Sequence, residues 1–79
     1  MDDPISVTCV MDETGQITLH RLTWREQVHT IIAVGRQWDD EDGRHVLAEA
    51  GDGTRFEALL RREDFTWRVK QVWRPELLA

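Results

Sequence analysis

The stretch "HVLAEAGDGTRFEALLRR", His45 to Arg62, decides how this chain folds. Two runs of alternating side chains flank Gly51-Asp52-Gly53, and glycines on either side of an aspartate signal a tight hairpin. In the second run Phe56, Ala58 and Leu60 alternate with Arg55, Glu57 and Arg61, with Leu59 on the charged side. That is the pattern of a strand with one face on a core and one on solvent. No 11-residue window of the chain makes an amphipathic helix instead.

Downstream, Glu63-Asp64 turns the chain and "FTWRVKQVW" (residues 65–73) forms the last strand. Strict alternation puts Trp67, Val69, Gln71 and Trp73 on one face and Arg68, Lys70, Val72 and Arg74 on the other. Gln71 is misplaced in that register. A bulge at Lys70–Gln71 swings Val72 inward and Trp73 outward. Trp67 is therefore expected in the core, and Trp73 stays open between core and surface. Pro75 has no N–H to donate, so pairing stops at Arg74 and residues 75–79 read as a tail or a single helical turn.

Upstream, "VHTIIAVGRQW" (28–38) is apolar on both faces midway, which marks a central strand, and Gly35 marks a kink. "QITLHRLTW" (16–24) brings Ile17, Leu19, Leu22 and Trp24 to one side only if a bulge sits near His20–Arg21. "ISVTCVM" (5–11) is expected to bury Ile5, Val7, Cys9 and Met11. Together these make about six short antiparallel strands. A sheet this small hides its edges most economically by curling up into a small barrel, SH3-like or OB-like. One all-β domain is expected over residues 1–79, with its core in 5–74 and no repeat or linker.

Seventy-nine residues give one core of marginal size. The apolar supply suffices: 41% of residues are hydrophobic, with Trp24, Trp38, Trp67, Trp73, Phe56 and Phe65 as anchors. A lone cysteine, Cys9, makes no internal disulfide and fits a reducing compartment. It reads as a small buried side chain. No apolar run reaches the ~20 residues of a membrane helix, and the acidic opening "MDDPIS" is unlike a signal peptide. A cytoplasmic setting is the expectation.

The net charge of −5 opposes bulk affinity for nucleic acid. Its distribution is more specific. Acid gathers in the turns, notably "DDEDG" (39–43), and base gathers in the strands, above all between Arg55 and Arg74. Trp73, Trp38, Arg55, Arg61, Arg68 and Lys70 are thus the candidate binding residues. Aromatic rings flanked by cations on a sheet can stack single-stranded bases at ~1–3 kcal/mol per ring. Catalytic constellations are not visible. His20, His29 and His45 lack metal-ligand spacing, and Ser6 lies in a strand without a nucleophile elbow. "DDEDG" departs from the calcium-loop spacing, and "GDG" precedes no helix that could hold phosphate. A non-catalytic chain with no cofactor and no metal is expected.

The order Trp24, Val28 to Trp38, Gly53, Phe56-Glu57 and Trp67 to Val72 resembles a small bacterial all-β family of uncharacterised function, over residues 17–74. Domains of that kind occur alone or at the C-terminus of Y-family-polymerase-like proteins of DNA damage tolerance. Where that family's first turn often has glycine, this chain has Glu26 and Gln27. The resemblance implies a fold and carries no activity to transfer. Two functions follow as expectations. One is a protein-interaction module that binds a partner or itself through a strand edge. The other is an accessory domain binding single-stranded nucleic acid.

Overall fold

The computed structural model describes residues 2–75. Seven strands form one antiparallel sheet: β1 (Asp3–Pro4), β2 (Ser6–Met11), β3 (Ile17–Trp24), β4 (Gln27–Asp39), β5 (Gly43–Ala50), β6 (Arg55–Arg61) and β7 (Trp67–Trp73). Their order across the sheet is β1-β7-β6-β5-β4-β3-β2, so β2 to β7 form a meander of sequential hairpins. The first strand anticipated from sequence is present but preceded by a second short piece, with Ile5 between them. That piece joins the far end of the sheet: Asp3 and Pro4 pair with Val69 and Arg68, and Ile5 N–H donates to the Trp67 carbonyl. The sheet is thus a curled half-barrel whose two ends are tied by the N-terminal segment. Residues 76–79, read from sequence as a tail or helical turn, lie outside the described residues. Among those described, no helix is long and apolar enough to cross a membrane.

The acids of the turns have a local purpose. Four of the five hairpin turns contain an aspartate that folds onto the backbone ahead of it. Asp12 accepts from the N–H groups of Thr14 and Gln16, and Asp40 from those of Asp42 and Gly43. Asp52 and Asp64 accept from Thr54 and Thr66. Such a carboxylate replaces a missing backbone partner in the turn. The fifth turn, between β3 and β4, is different. Arg25 and Glu26 both take positive φ, 52° and 65°, the backbone of a two-residue type I′ hairpin made without glycine.

Parity breaks in the apolar pattern correspond to bulges. His20 is the extra residue where Thr8 pairs with Arg21 and Cys9 with Leu19, and all four of Ile17, Leu19, Leu22 and Trp24 are buried. Lys70 is the extra residue where Ala58 pairs with Val69 and Glu57 with Gln71; Val72 then packs on the core and Trp73 turns outward. Around Phe56, which is fully buried, pack Val46, Ala48, Ala58, Val69 and the strand-3 side chains. Trp67 packs against this core from a half-buried position.

β4 is central, as its sequence implied, yet it is not covered on both faces. Its first turn of ladder pairs with β3 through Gln27–Thr30, and its remainder pairs with β5. The register slips at Ile32 and again at Gly35–Arg36, so the strand bends and Ile32 is 63% exposed. Where β3 and β4 part, the Gln37 side chain takes over the ladder, accepting from the Ile17 N–H and donating to its carbonyl.

The expectation for β2 needs correction. Ile5, just ahead of the strand, and Val7 pack on the core; Cys9 is exposed and Met11 is 55% exposed. β2 is the last strand of the sheet, and among the described residues its outer half is left uncovered. Alternation shows which face a residue joins, whereas burial also needs a neighbour to cover it.

Candidate functional site

The alternation that sends Val46, Ala48, Phe56 and Ala58 into the core sends His45, Leu47, Glu49, Arg55, Glu57 and Leu59 to the outer face of the sheet. At one corner of that face lies an apolar groove of about 500 Å3, lined among others by Ala33, Gly35 and Leu47, with Arg55 and Trp73 at its side. Small residues on β4 leave the hollow: Ala33 has only a methyl group, and a Cβ placed on Gly35 would touch Leu47 at 3.7 Å. Arg55 and Trp73 face each other directly across β6 and β7. The indole of Trp73 remains 45% exposed, a large apolar surface at the groove's rim.

The six residues singled out from sequence do not gather into one surface. Trp73 and Arg55 meet at the groove. Arg61 and Lys70 flank a separate polar hollow of about 220 Å3, with Asp2, Glu41, Asp42 and Glu63. Arg68 stands opposite Leu59 on the neighbouring strand, and its Nε is buried without a hydrogen-bond partner among the described residues. Trp38 lies on β4, stacked on His45.

Nor are most of the cations free. Arg55 meets Glu49 at 3.5 Å, Arg61 meets Glu63 at 2.6 Å and Asp64 at 3.8 Å, and Lys70 meets Asp2 at 3.9 Å. The strand bases and turn acids that are apart in sequence are therefore partners in space. A phosphate approaching this surface meets paired charge rather than a basic channel.

Sequence reading missed a second constellation on the same face. His45 is buried, and both ring nitrogens meet carboxylates: Nδ1 lies 2.8 Å from Glu57 Oε2, and Nε2 lies 2.7 Å from Asp40 Oδ2. A ring protonated on both nitrogens donates to each carboxylate, whereas a neutral ring satisfies only one. Trp38 covers the imidazole, and the Arg36 guanidinium lies 5.1 Å from the Trp38 ring centre. Asp40 belongs to the acidic turn that the sequence marks at 39–43, and it is also a histidine partner. Burial alone would raise its carboxyl, but the amides of Asp42 and Gly43 and the imidazole outweigh that and lower it. The signal was a strand register: Trp38, His45, Leu59 and Arg68 form one row across β4 to β7.

The carboxylates around His45 are engaged with it, and no group of three or more His, Cys, Asp or Glu side chains that could hold a metal occurs among the described residues. Fold and site together define a small all-β domain, one curled sheet with an exposed indole beside an apolar groove. Compared with protein-family models, curated proteins and solved structures, the chain matches none.

Proposed function

We propose that this chain is a non-catalytic protein-interaction module, which receives an apolar side chain of a partner protein in the groove beside Trp73. The observation that carries the reading is the exposed indole of Trp73 at the rim of an apolar hollow on the sheet. Tryptophans at the centre of an interface with an adjoining pocket supply much of the binding energy in protein complexes. The Arg55–Glu49 pair at the same place gives the groove a polar rim that excludes water around such an anchor. A cytoplasmic setting suits the single thiol. A connection with DNA damage tolerance rests on the resemblance of residues 17–74 alone.

The test is Trp73→Ala, assayed by capture of partners from a native lysate and by thermal unfolding. Retention of partners is lost while stability changes by about 1 kcal/mol or less, as for surface positions. A stability loss of several kcal/mol, or an unchanged set of captured partners, overturns the reading. The nucleic-acid alternative draws on the basic strands and the same resemblance. Because three of its four cations are held by carboxylates, it is the weaker reading. Salt-sensitive binding of short oligonucleotides, abolished by Arg68→Ala with Lys70→Ala, would reverse that order.

A further inference from the structure

The sheet guards its edges unequally. One margin of β7 is covered by β1 along Trp67–Val69, and its remaining length is bulged at Lys70 and closed by Pro75. The parting between β3 and β4 is filled by Gln37. β2 has none of these devices. Ser6–Met11 contains no charge, no proline and no glycine, and the extra residue of its bulge, His20, belongs to β3. Among the described residues, no backbone group of Ser6–Met11 is hydrogen-bonded outside the ladder with β3. Native sheets ordinarily blunt such an edge with lysine, proline or a covering segment. Here those devices appear everywhere except on β2.

Side chains point the same way. Val7, Cys9 and Met11 share the face that the rest of the sheet turns toward the core, yet Cys9 is exposed and Met11 is 55% exposed. Val10, on the opposite face, is 57% exposed. The strand thus has apolar residues in register with a core that stops short of them.

We propose that β2 pairs edge to edge, antiparallel, with β2 of a second copy of this chain, on a two-fold axis at Cys9. The occupant is a second copy because the strand is complementary to its own reverse. Centred on Cys9, Val7 faces Met11 of the other chain and Thr8 faces Val10, and no charge opposes another. Directly opposite residues lie on one side of an antiparallel pair. This register therefore sets both core faces on the same side and joins the two Val7-Cys9-Met11 rows into one apolar strip. A register shifted by one residue would set the cores on opposite sides and leave those rows apart. An isologous contact of this type closes on itself as a dimer. It is independent of the groove beside Trp73.

Sedimentation equilibrium of the intact chain, from about 10 µM to about 1 mM, tests the proposal at low and high salt. A dimer is expected, tighter at high salt because the two copies each carry −5. Two double variants decide the register, since Thr8 and Val10 are both exposed and lie opposite each other across the axis. T8K/V10K and T8E/V10E each become monomeric, and mixing them restores a heterodimer, which a misfolded variant could not do. Diamide oxidation at alkaline pH, chosen because partial burial pushes the Cys9 thiol up, adds a second readout. Two thiols then give one Cys9–Cys9 disulfide, with two electrons and two protons passing to the diamide. Opposed Cα atoms of an antiparallel pair, about 4.5–5.5 Å apart, lie within disulfide reach. A wild type that stays monomeric over the whole range refutes the proposal, as do charge variants that dimerise like wild type. Loss of the dimer in Trp73→Ala but not in the charge variants would move the contact to the groove.

Discussion

The indole of Trp38 lies flat on the imidazole of His45, with ring centres 5.0 Å apart and planes 2° from parallel. This stack shields a histidine whose two nitrogens are held by Asp40 and Glu57. His45→Ala removes the donor from Glu57, whose side chain is only 13% exposed. Leaving such a group unpartnered costs about 1–3 kcal/mol. Urea unfolding should show a loss of at least that size. Glu57→Gln, which keeps a hydrogen-bonding group near Nδ1, should lose less. Equal losses in the two variants would mean that packing under Trp38, rather than the paired carboxylates, holds this corner.

Gly43, at the start of β5, takes φ +148°, and a Cβ built there would lie 2.0 Å from the Leu60 carbonyl oxygen. The obstruction is backbone of the paired strand and cannot swing aside. Gly43→Ala should therefore prevent folding or cost several kcal/mol, well above the ~1 kcal/mol typical of point substitutions. Gly35→Ala has ordinary contacts at 3.7 Å and should leave stability nearly unchanged. Circular dichroism and thermal melts of the two proteins make the comparison.

Arg25 and Glu26 turn β3 into β4 with φ of 52° and 65°. Left-handed backbone costs a non-glycine residue roughly 1–2 kcal/mol. Arg25 has compensation, since it meets Asp3 at 3.1 Å and lies over Trp24. Among the described contacts Glu26 has none. Glu26→Gly should accordingly raise stability, by up to about 1 kcal/mol once the added freedom of the unfolded chain is subtracted. A lower melting temperature would show that Glu26 makes a contribution its backbone conceals.

Acid should unfold the chain by way of its turns. Hydrogen bonds from Thr14 to Asp12, Arg44 to Asp39, Thr54 to Asp52 and Thr66 to Asp64 hold these carboxyls below the ordinary aspartate value. A carboxyl lowered in the folded state binds its proton more weakly there than in the unfolded chain. Its contribution is complete above the unfolded value of about 3.9 and disappears as pH falls through the folded value. Melting temperature should hold from neutral pH down to about 5 and drop below about 4. Asp64→Asn, retaining the Thr66 contact but not the ionisation, should flatten that drop.

Strand positions were legible in the sequence wherever an apolar parity was kept or broken in an interpretable way. Leu19 and Leu22 fall on opposite faces of an ideal strand, and only an extra residue, His20, reconciles them. Gln71 between Val69 and Val72 carried the same message for Trp73. Exposure of Cys9 and Met11 was not legible, because it depends on where the sheet ends rather than on local pattern. The site was less readable still. Arg61, Lys70 and Arg55 look like a basic set along the chain, and their carboxylate partners Glu63, Asp2 and Glu49 become visible only through three-dimensional proximity. His45, Asp40 and Glu57 needed the β5–β6 register to come together.

Every ladder from β2 to β7 joins neighbours in sequence, whereas Asp3 with Val69 joins opposite ends of the described chain. Hairpins with short loops form quickly, and a contact this distant pays its closure entropy last. Assembly of the molecule therefore resembles a bracelet: links form one after another, and the clasp, Asp3–Ile5 against β7, fastens at the end. Opening should run in reverse, with the amide of Ile5 exchanging its hydrogen ahead of those in β5 and β6.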